Sequence, residues 1–252
     1  SDPHWTDTID LYRSGSLASK PNLSSDAIGL IESISPDEEL KRILEYRTQE
    51  LIDYQNLSYA KEYISFVDNI YKKEKDLRSS SELSQNVAKY LFKLMATKDE
   101  YEVARLSLKA ELDSAINKEF GKSAKINYML HPPFLKAMEN IPILNMIPGV
   151  KSKLALGSWF KVFYVMLKNM KFLRGTPFDF MAWFSNDVRK ADSKALNHYK
   201  SILMNNIDEI GNGKYQDLKD FSVLPDIIRG YEEVRLETMT EYYQKSDNLF
   251  KS

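Results

Sequence analysis

With 252 residues, 43% hydrophobic and 28% charged side chains, 9 Gly and 9 Pro, the chain can bury a sizeable core. That balance excludes disordered, collagen-like and repeat-rich β classes. A formal net charge of -1 sets up no global field toward nucleic acid or an anionic membrane. Having no cysteine, these residues form no disulfide, thiolate zinc site, cysteine-ligated iron–sulfur cluster or cysteine nucleophile, and three dispersed histidines (His4, His131, His198) argue against a histidine metal site.

Residues 1–34 are rich in Ser, Asp and small polar side chains and read as an arm or linker ahead of a helical domain spanning 35–252. The body opens at Ser35-Pro36-Asp37-Glu38, which predicts Ser35 as N-cap with proline in the first turn and Glu38 completing a capping box. Leu40, Ile43, Leu44, Leu51 and Tyr54, then Ala60, Tyr63, Ile64, Val67, Ile70 and Tyr71, follow at helical spacing, as one long helix or two in series. Ser79 with Glu82 predicts a second capping box ahead of Leu83, Val87, Tyr90, Leu91, Leu94 and Met95. Thr97 with Glu100 predicts a third, ahead of a helix carrying Tyr101 and Ala104 inward and ending near Gly121.

Between 122 and 149 the helical period fails. Alternation at Ile126, Tyr128 and Leu130, then His131-Pro132-Pro133, predicts a small extended or β insertion around 122–133, followed by an irregular loop. Helical spacing resumes at Trp159, Phe163, Met166, Met170 and Leu173, and Gly175 with Pro177 marks a stop. A further helix takes in Val188, Ala191, Ala195, Tyr199, Ile202 and Leu203, and a short one holds Tyr215 and Leu218. The last opens at Leu224-Pro225 with Ile227, Ile228, Tyr231, Val234 and Tyr242 on one side. The expected fold is a mainly α, irregular multi-helix domain. The most apolar window, 154–173, is interrupted by Lys161, Lys168 and Lys171 and does not read as a membrane span; no apolar leader opens the chain, so a soluble cytoplasmic protein is expected.

No phosphate loop, dinucleotide fingerprint, nucleophile elbow or zinc-protease motif is present. Three clusters carry chemistry. In the run Lys98 to Arg105 the carboxylates Asp99, Glu100 and Glu102 could act as general acid or base or bind a cation if buried; the plainer reading is a helix start with a surface Glu102–Arg105 pair. Lys161, Lys168, Lys171 and Arg174 could hold a phosphorylated cofactor tail or an acidic partner; the plainer reading is a solvated face opposite an aromatic stripe. His131, beside two prolines, reads as loop-fixing rather than basic. No catalytic residue and no metal ligand is assigned. The binding candidates are Lys98, Asp99, Glu100, Arg105, Arg174 and Arg229.

Several stretches carry a resemblance: Tyr54-Gln55 with Tyr59-Ala60; the run from Val87 through Ala96; Lys98-Asp99-Glu100-Tyr101-Glu102-Val103-Ala104-Arg105-Leu106; Pro132-Pro133; Gly157 and Trp159; Leu173-Arg174-Gly175-Thr176 with Phe178-Asp179; and Leu224-Pro225-Asp226 with Ile228-Arg229-Gly230. In this order they resemble the C-terminal helical region, a domain of unknown function, of long fused indolepyruvate ferredoxin oxidoreductases (2-oxoacid:ferredoxin oxidoreductases). The resemblance implies a parent enzyme that oxidises aryl 2-oxoacids to acyl-CoA with thiamine diphosphate and coenzyme A, passing electrons through iron–sulfur clusters to ferredoxin. Those groups belong to other domains, and no cofactor is expected in this chain. The expected role is a non-catalytic structural and docking segment against the other domains or subunits, in a homo-oligomeric enzyme without nucleic-acid or membrane partners. Two alternatives stand beside it: basic residues such as Arg174 and Arg229 contributed to the oxoacid or CoA site, or a free-standing helical adaptor.

Overall fold

The computed structural model describes residues 22–108, 128–130, 154–156, 161–179, 186–230 and 232–250. Among the described residues the fold is mainly α. Nine α-helices appear there: α1 (Ser25–Glu32), α2 (Glu38–Tyr54), α3 (Leu57–Leu77), α4 (Glu82–Met95), α5 (Glu100–Ser107), α6 (Lys161–Asn169), α7 (Asn186–Asn205), α8 (Tyr215–Val223) and α9 (Glu232–Phe250). Short 3-10 turns follow α6, α7 and α8, at Met170–Leu173, Ile207–Gly211 and Leu224–Ile227. None of the helices among the described residues is long and apolar enough to cross a membrane.

Helix α4 is the centre of the core. Leu83, Val87, Ala88, Leu91, Phe92, Leu94 and Met95 are all buried, so its apolar residues spread round the helix instead of lining one stripe. It packs against α2, α3, α7 and α8, while α9 closes over α7 and the turn after α8. Tyrosines lock this arrangement. The Tyr63 hydroxyl donates to Ala88 O at 2.7 Å, Tyr59 to Met95 O at 3.0 Å and Tyr199 to Ser222 O at 2.8 Å. Each brings a large apolar ring into the core while its hydroxyl satisfies a carbonyl on a neighbouring helix. Part of the aromatic richness is therefore used inside the fold, not at an outer interface.

Two helices in series, not one, cover 38–77. Gln55 leaves the helical region and Asn56 starts α3 by accepting from Tyr59 N at 2.9 Å. The three expected capping boxes are displaced. Ser35 is not the first N-cap: its φ of 46° places it in the left-handed region at the end of α1, and Asp37 caps α2 by accepting from Leu40 N at 3.0 Å. Helix α4 starts at Glu82 without a capping Ser79; Glu74 supplies the oxygens from the end of α3, accepting from Leu83 N at 3.0 Å and Ser84 N at 2.8 Å. For α5 the cap is Asp99, not Thr97, whose hydroxyl instead meets the Tyr54 hydroxyl at 3.3 Å.

Of residues 1–34, the last part forms α1, which packs on α2 and α3 with Ala27, Ile31 and Ile34 buried. The extended insertion expected over 122–133 is not seen as a unit. Tyr128–Leu130 pair antiparallel with Leu154–Leu156, a remote partner, and the rest of that stretch, His131 and the loop after it lie outside the described residues. The last helix opens at Glu232 rather than at Leu224-Pro225, where a 3-10 turn stands, and Gly230 separates the two with a φ of 78°. Val234, expected inward, is 55% exposed.

Candidate functional site

Helix α2 ends with its last carbonyls unfilled and no basic residue in its own final turn. Cations from the segment after α6 supply what is missing. Lys171 Nζ donates to Asp53 O at 2.5 Å and Ile52 O at 3.3 Å, and Arg174 Nη1 donates to Tyr54 O at 2.5 Å and Gln55 Oε1 at 2.9 Å. Two positive charges at the negative end of a helix dipole are favourable, more so when partly buried. Gly175, at φ 74°, turns the chain just beyond Arg174.

The other edge of Arg174 grips Asp99, with Nε to Oδ2 at 2.5 Å and Nη2 to Oδ1 at 2.8 Å. Asp99 Oδ1 also accepts Glu102 N at 2.9 Å, so one carboxylate both caps α5 and anchors the arginine. The guanidinium lies 3.8 Å from the centre of the Tyr54 ring and 5.5 Å from that of Tyr101. Burial opposes the charge on Arg174, but Asp99 and the surrounding acceptors outweigh it and raise its affinity for the proton.

Two further arginines extend the network. Arg105 holds Glu102 through both oxygens, at 2.8 and 2.7 Å, and reaches Glu50 on α2 at 2.6 Å. This is the expected i,i+3 pair, but it is buried, with the two side chains 8% and 3% exposed, and not on the surface. Arg189 on α7 donates to Asp179 Oδ2 at 2.8 Å and to Glu100 Oε2 at 2.7 Å. Asp179, 1% exposed, also accepts from Tyr101 Oη at 2.9 Å and Gly175 N at 3.0 Å. Burial pushes the Glu100 carboxyl above its ordinary value, partly offset by Arg189, and burial likewise raises the Tyr54 and Tyr101 hydroxyls.

Of the six binding candidates, Asp99, Glu100, Arg105 and Arg174 meet in this network. Lys98 is exposed on the turn leading into α5. Arg229 lies elsewhere, exposed and bonded to Asp226 at 3.1 Å, with its backbone N–H donated to Thr238 Oγ1 at 3.1 Å. The basic face expected on α6 does not form: Lys168 is exposed, whereas Lys171 and Arg174 turn inward. Glu50, Asp179 and Arg189 were missed by sequence reading. Only Asp179 left a signal, as the carboxylate four residues beyond a turn glycine; Glu50 and Arg189 look like ordinary polar helix residues.

Residues 40–248 match the model of a family of unknown function, DUF6537. The chain belongs to that family. No curated protein and no solved structure matches it. The DUF6537 span contains the whole network, from Glu50 to Arg189. Chemically, this DUF6537 site is a clamp: arginines and carboxylates at hydrogen-bond distance, largely out of water, joining α2, α5, the turn after α6, and α7. Among the described residues no group of three or more His, Asp or Glu is arranged to hold a metal ion. The guanidinium groups of Arg105, Arg174 and Arg189 each hold a carboxylate.

Proposed function

We propose that this chain is a non-catalytic structural and docking segment of an indolepyruvate-type 2-oxoacid:ferredoxin oxidoreductase. Aryl 2-oxoacid oxidation, acyl-CoA formation and ferredoxin reduction would be carried by other domains holding the thiamine diphosphate and iron–sulfur clusters. The parent enzyme enters through the sequence resemblance. The non-catalytic role is supported by one observation: the run that carries the resemblance most specifically, 92–106, supplies Asp99, Glu100, Glu102 and Arg105 to the buried network. Arg174, the residue best suited by type to clamp a carboxylate or a CoA phosphate, makes four hydrogen bonds to Asp99, Tyr54 and Gln55. An arginine so engaged holds helices together and has little left to offer a ligand.

The experiment is to delete residues 22–250 from the fused enzyme and measure its assembly and turnover. The proposal expects dissociation or aggregation of the remaining domains, with loss of ferredoxin reduction as a consequence. A truncated enzyme that assembles and turns over normally would reject it. The alternative of basic residues lent to the oxoacid or CoA site predicts a raised KM for one of them in Arg229→Ala, at unchanged stability.

A further inference from the structure

The sequence has one Asn-Gly step, Asn212-Gly213, in the link between the 3-10 turn Ile207–Gly211 and α8. An asparagine amide carbon lies within reach of the main-chain nitrogen that follows it, and their union closes a five-membered ring. Folded proteins suppress the reaction by binding that N–H in a helix or ladder, by crowding the ring with the next side chain, and by holding Cβ away from the nitrogen. None of these restraints operates here. Among the described residues the Gly213 N–H donates no hydrogen bond. Residues 211–214 are all exposed, and even a Cβ on Gly213 would meet nothing within 4 Å. Ring closure needs the Cα–Cβ bond to eclipse the bond from the Asn212 carbonyl carbon to Gly213 N. Helical ψ is about -42° and strand ψ about +135°. At -167° Asn212 lies between them, on the arc that contains the eclipsed position.

Arg78 adds chemistry to this geometry. From the end of α3 its Nε donates to Ile210 O at 2.8 Å and its Nη2 reaches Asn212 O at 3.4 Å. A guanidinium beside that carbonyl favours loss of the proton from the adjoining Gly213 N–H, the step that creates the nucleophile. The Asn212 amide itself donates to Glu209 Oε2 at 3.1 Å, an exposed contact that water can replace. Asn56 and Asn206 lack the combination. Asn56 is also extended, at ψ 177°, but its Oδ1 accepts from Tyr59 N at 2.9 Å and Leu57 follows it. Asn206 is followed by Ile207 and donates to Ile202 O at 2.8 Å.

We propose that Asn212 is a modification site that converts spontaneously to aspartate and isoaspartate, with water as the co-reactant. Gly213 N loses its proton and bonds to Asn212 Cγ; the Cγ–Nδ2 bond breaks, and Nδ2 leaves as ammonia with that proton. Water then opens the cyclic imide. Attack at Cγ restores the main chain as aspartate, and attack at the Asn212 carbonyl carbon leaves the chain running through Cγ as isoaspartate. Either product places a new carboxylate next to Glu209, and isoaspartate lengthens the main chain by one carbon beside Arg78. The site is independent of which enzyme carries the chain.

The test ages the intact polypeptide that carries this chain in neutral buffer and follows its peptides by mass spectrometry, with electron-transfer fragmentation to separate isoaspartate from aspartate. The expected result is steady conversion of the peptide containing Asn212, with isoaspartate exceeding aspartate, while the peptide containing Asn56 keeps its amide. Gly213→Ala should slow the conversion roughly tenfold, because the freedom of glycine lets the ring close. Helical content and melting temperature should stay unchanged in that variant, since Gly213 has no positive φ and has room for a Cβ. An amide at Asn212 that lasts as long as the one at Asn56 would overturn the proposal. Aspartate without isoaspartate would overturn it too, as would a Gly213→Ala rate equal to the native one.

Discussion

The Arg174 guanidinium lies 3.8 Å above the ring of Tyr54 and donates a hydrogen bond to the carbonyl oxygen of that same residue. The two are 120 residues apart in sequence. This contact closes the end of α2 with a charge that α2 itself lacks, and Asp99 neutralises the charge from the other side.

Truncating Arg174 would leave Asp99, 7% exposed, as a buried carboxylate without its bidentate partner. Arg174→Ala is expected to lose about 3 kcal/mol of stability, the usual cost of breaking one side of a buried ion pair. Arg174→Lys should recover only part of it, because an ammonium cannot span both Asp99 oxygens and the Tyr54 carbonyl. Urea unfolding of the three proteins checks this; equal midpoints would show that the network carries no stability.

Glu74 provides an independent test in the main core. It is fully buried and accepts from Leu83 N, Ser84 N, the Ser84 hydroxyl at 2.5 Å and the Tyr215 hydroxyl at 2.6 Å. Burial and the adjacent Glu74 carboxylate push the Tyr215 hydroxyl up to about 12. Glu74→Ala removes the cap of α4 and strands four donors, and a loss of about 3 kcal/mol is expected. Thermal unfolding measures it, with Glu82→Ala, whose exposed side chain pairs with Lys219, as a control expected to change little.

His198 sets a pH dependence. Its Nδ1 lies 3.1 Å from the Tyr242 hydroxyl, and its ring lies edge-on to Tyr242 and Tyr243. Burial lowers its proton affinity below the ordinary 6.5; Asp247 works against this and Lys194 with it. In the window between the lowered folded value and 6.5 the unfolded chain binds more protons, so stability falls as pH falls through that window. The slope should shrink in His198→Gln. Urea midpoints at pH 7.5, 6.5 and 5.5, taken as about one unit either side of the ordinary histidine value, decide it.

Gly230 and Gly175 both have positive φ, but their surroundings differ. A Cβ at Gly230 would lie 2.6 Å from Val234 Cγ1, whereas one at Gly175 would meet nothing within 4 Å. Gly175→Ala should cost roughly 1 kcal/mol from backbone strain, and Gly230→Ala distinctly more. Melting temperatures of the two variants test the order.

Helical periodicity reveals most of the core from the sequence, since residues such as Leu40, Val67, Leu91 and Tyr199 repeat at the spacing of a buried face. Cap positions were less legible. A capping box is a local rule, and here it is overridden by oxygens from elsewhere: Glu74 for α4, and Asp37 in place of a serine needed to end α1. The site was half legible for the same reason. Asp99, Glu100 and Arg105 announce themselves as a charged helix start, but nothing local tells that Arg174 and Arg189 come to meet them. The orientation of α6 also escaped, because its lysines suggest a wet face while Lys171 turns in and Val162, Val165 and Met166 turn out.

The most direct test of the central claim is immunoprecipitation from the source cell with antiserum raised against this chain, followed by assay of the precipitate. A docking segment of a fused oxidoreductase gives a reactive polypeptide several times larger than the chain's own 29.2 kDa, with aryl 2-oxoacid- and CoA-dependent reduction of ferredoxin in the precipitate. A reactive band only near 29.2 kDa, in a precipitate without that activity, would contradict it.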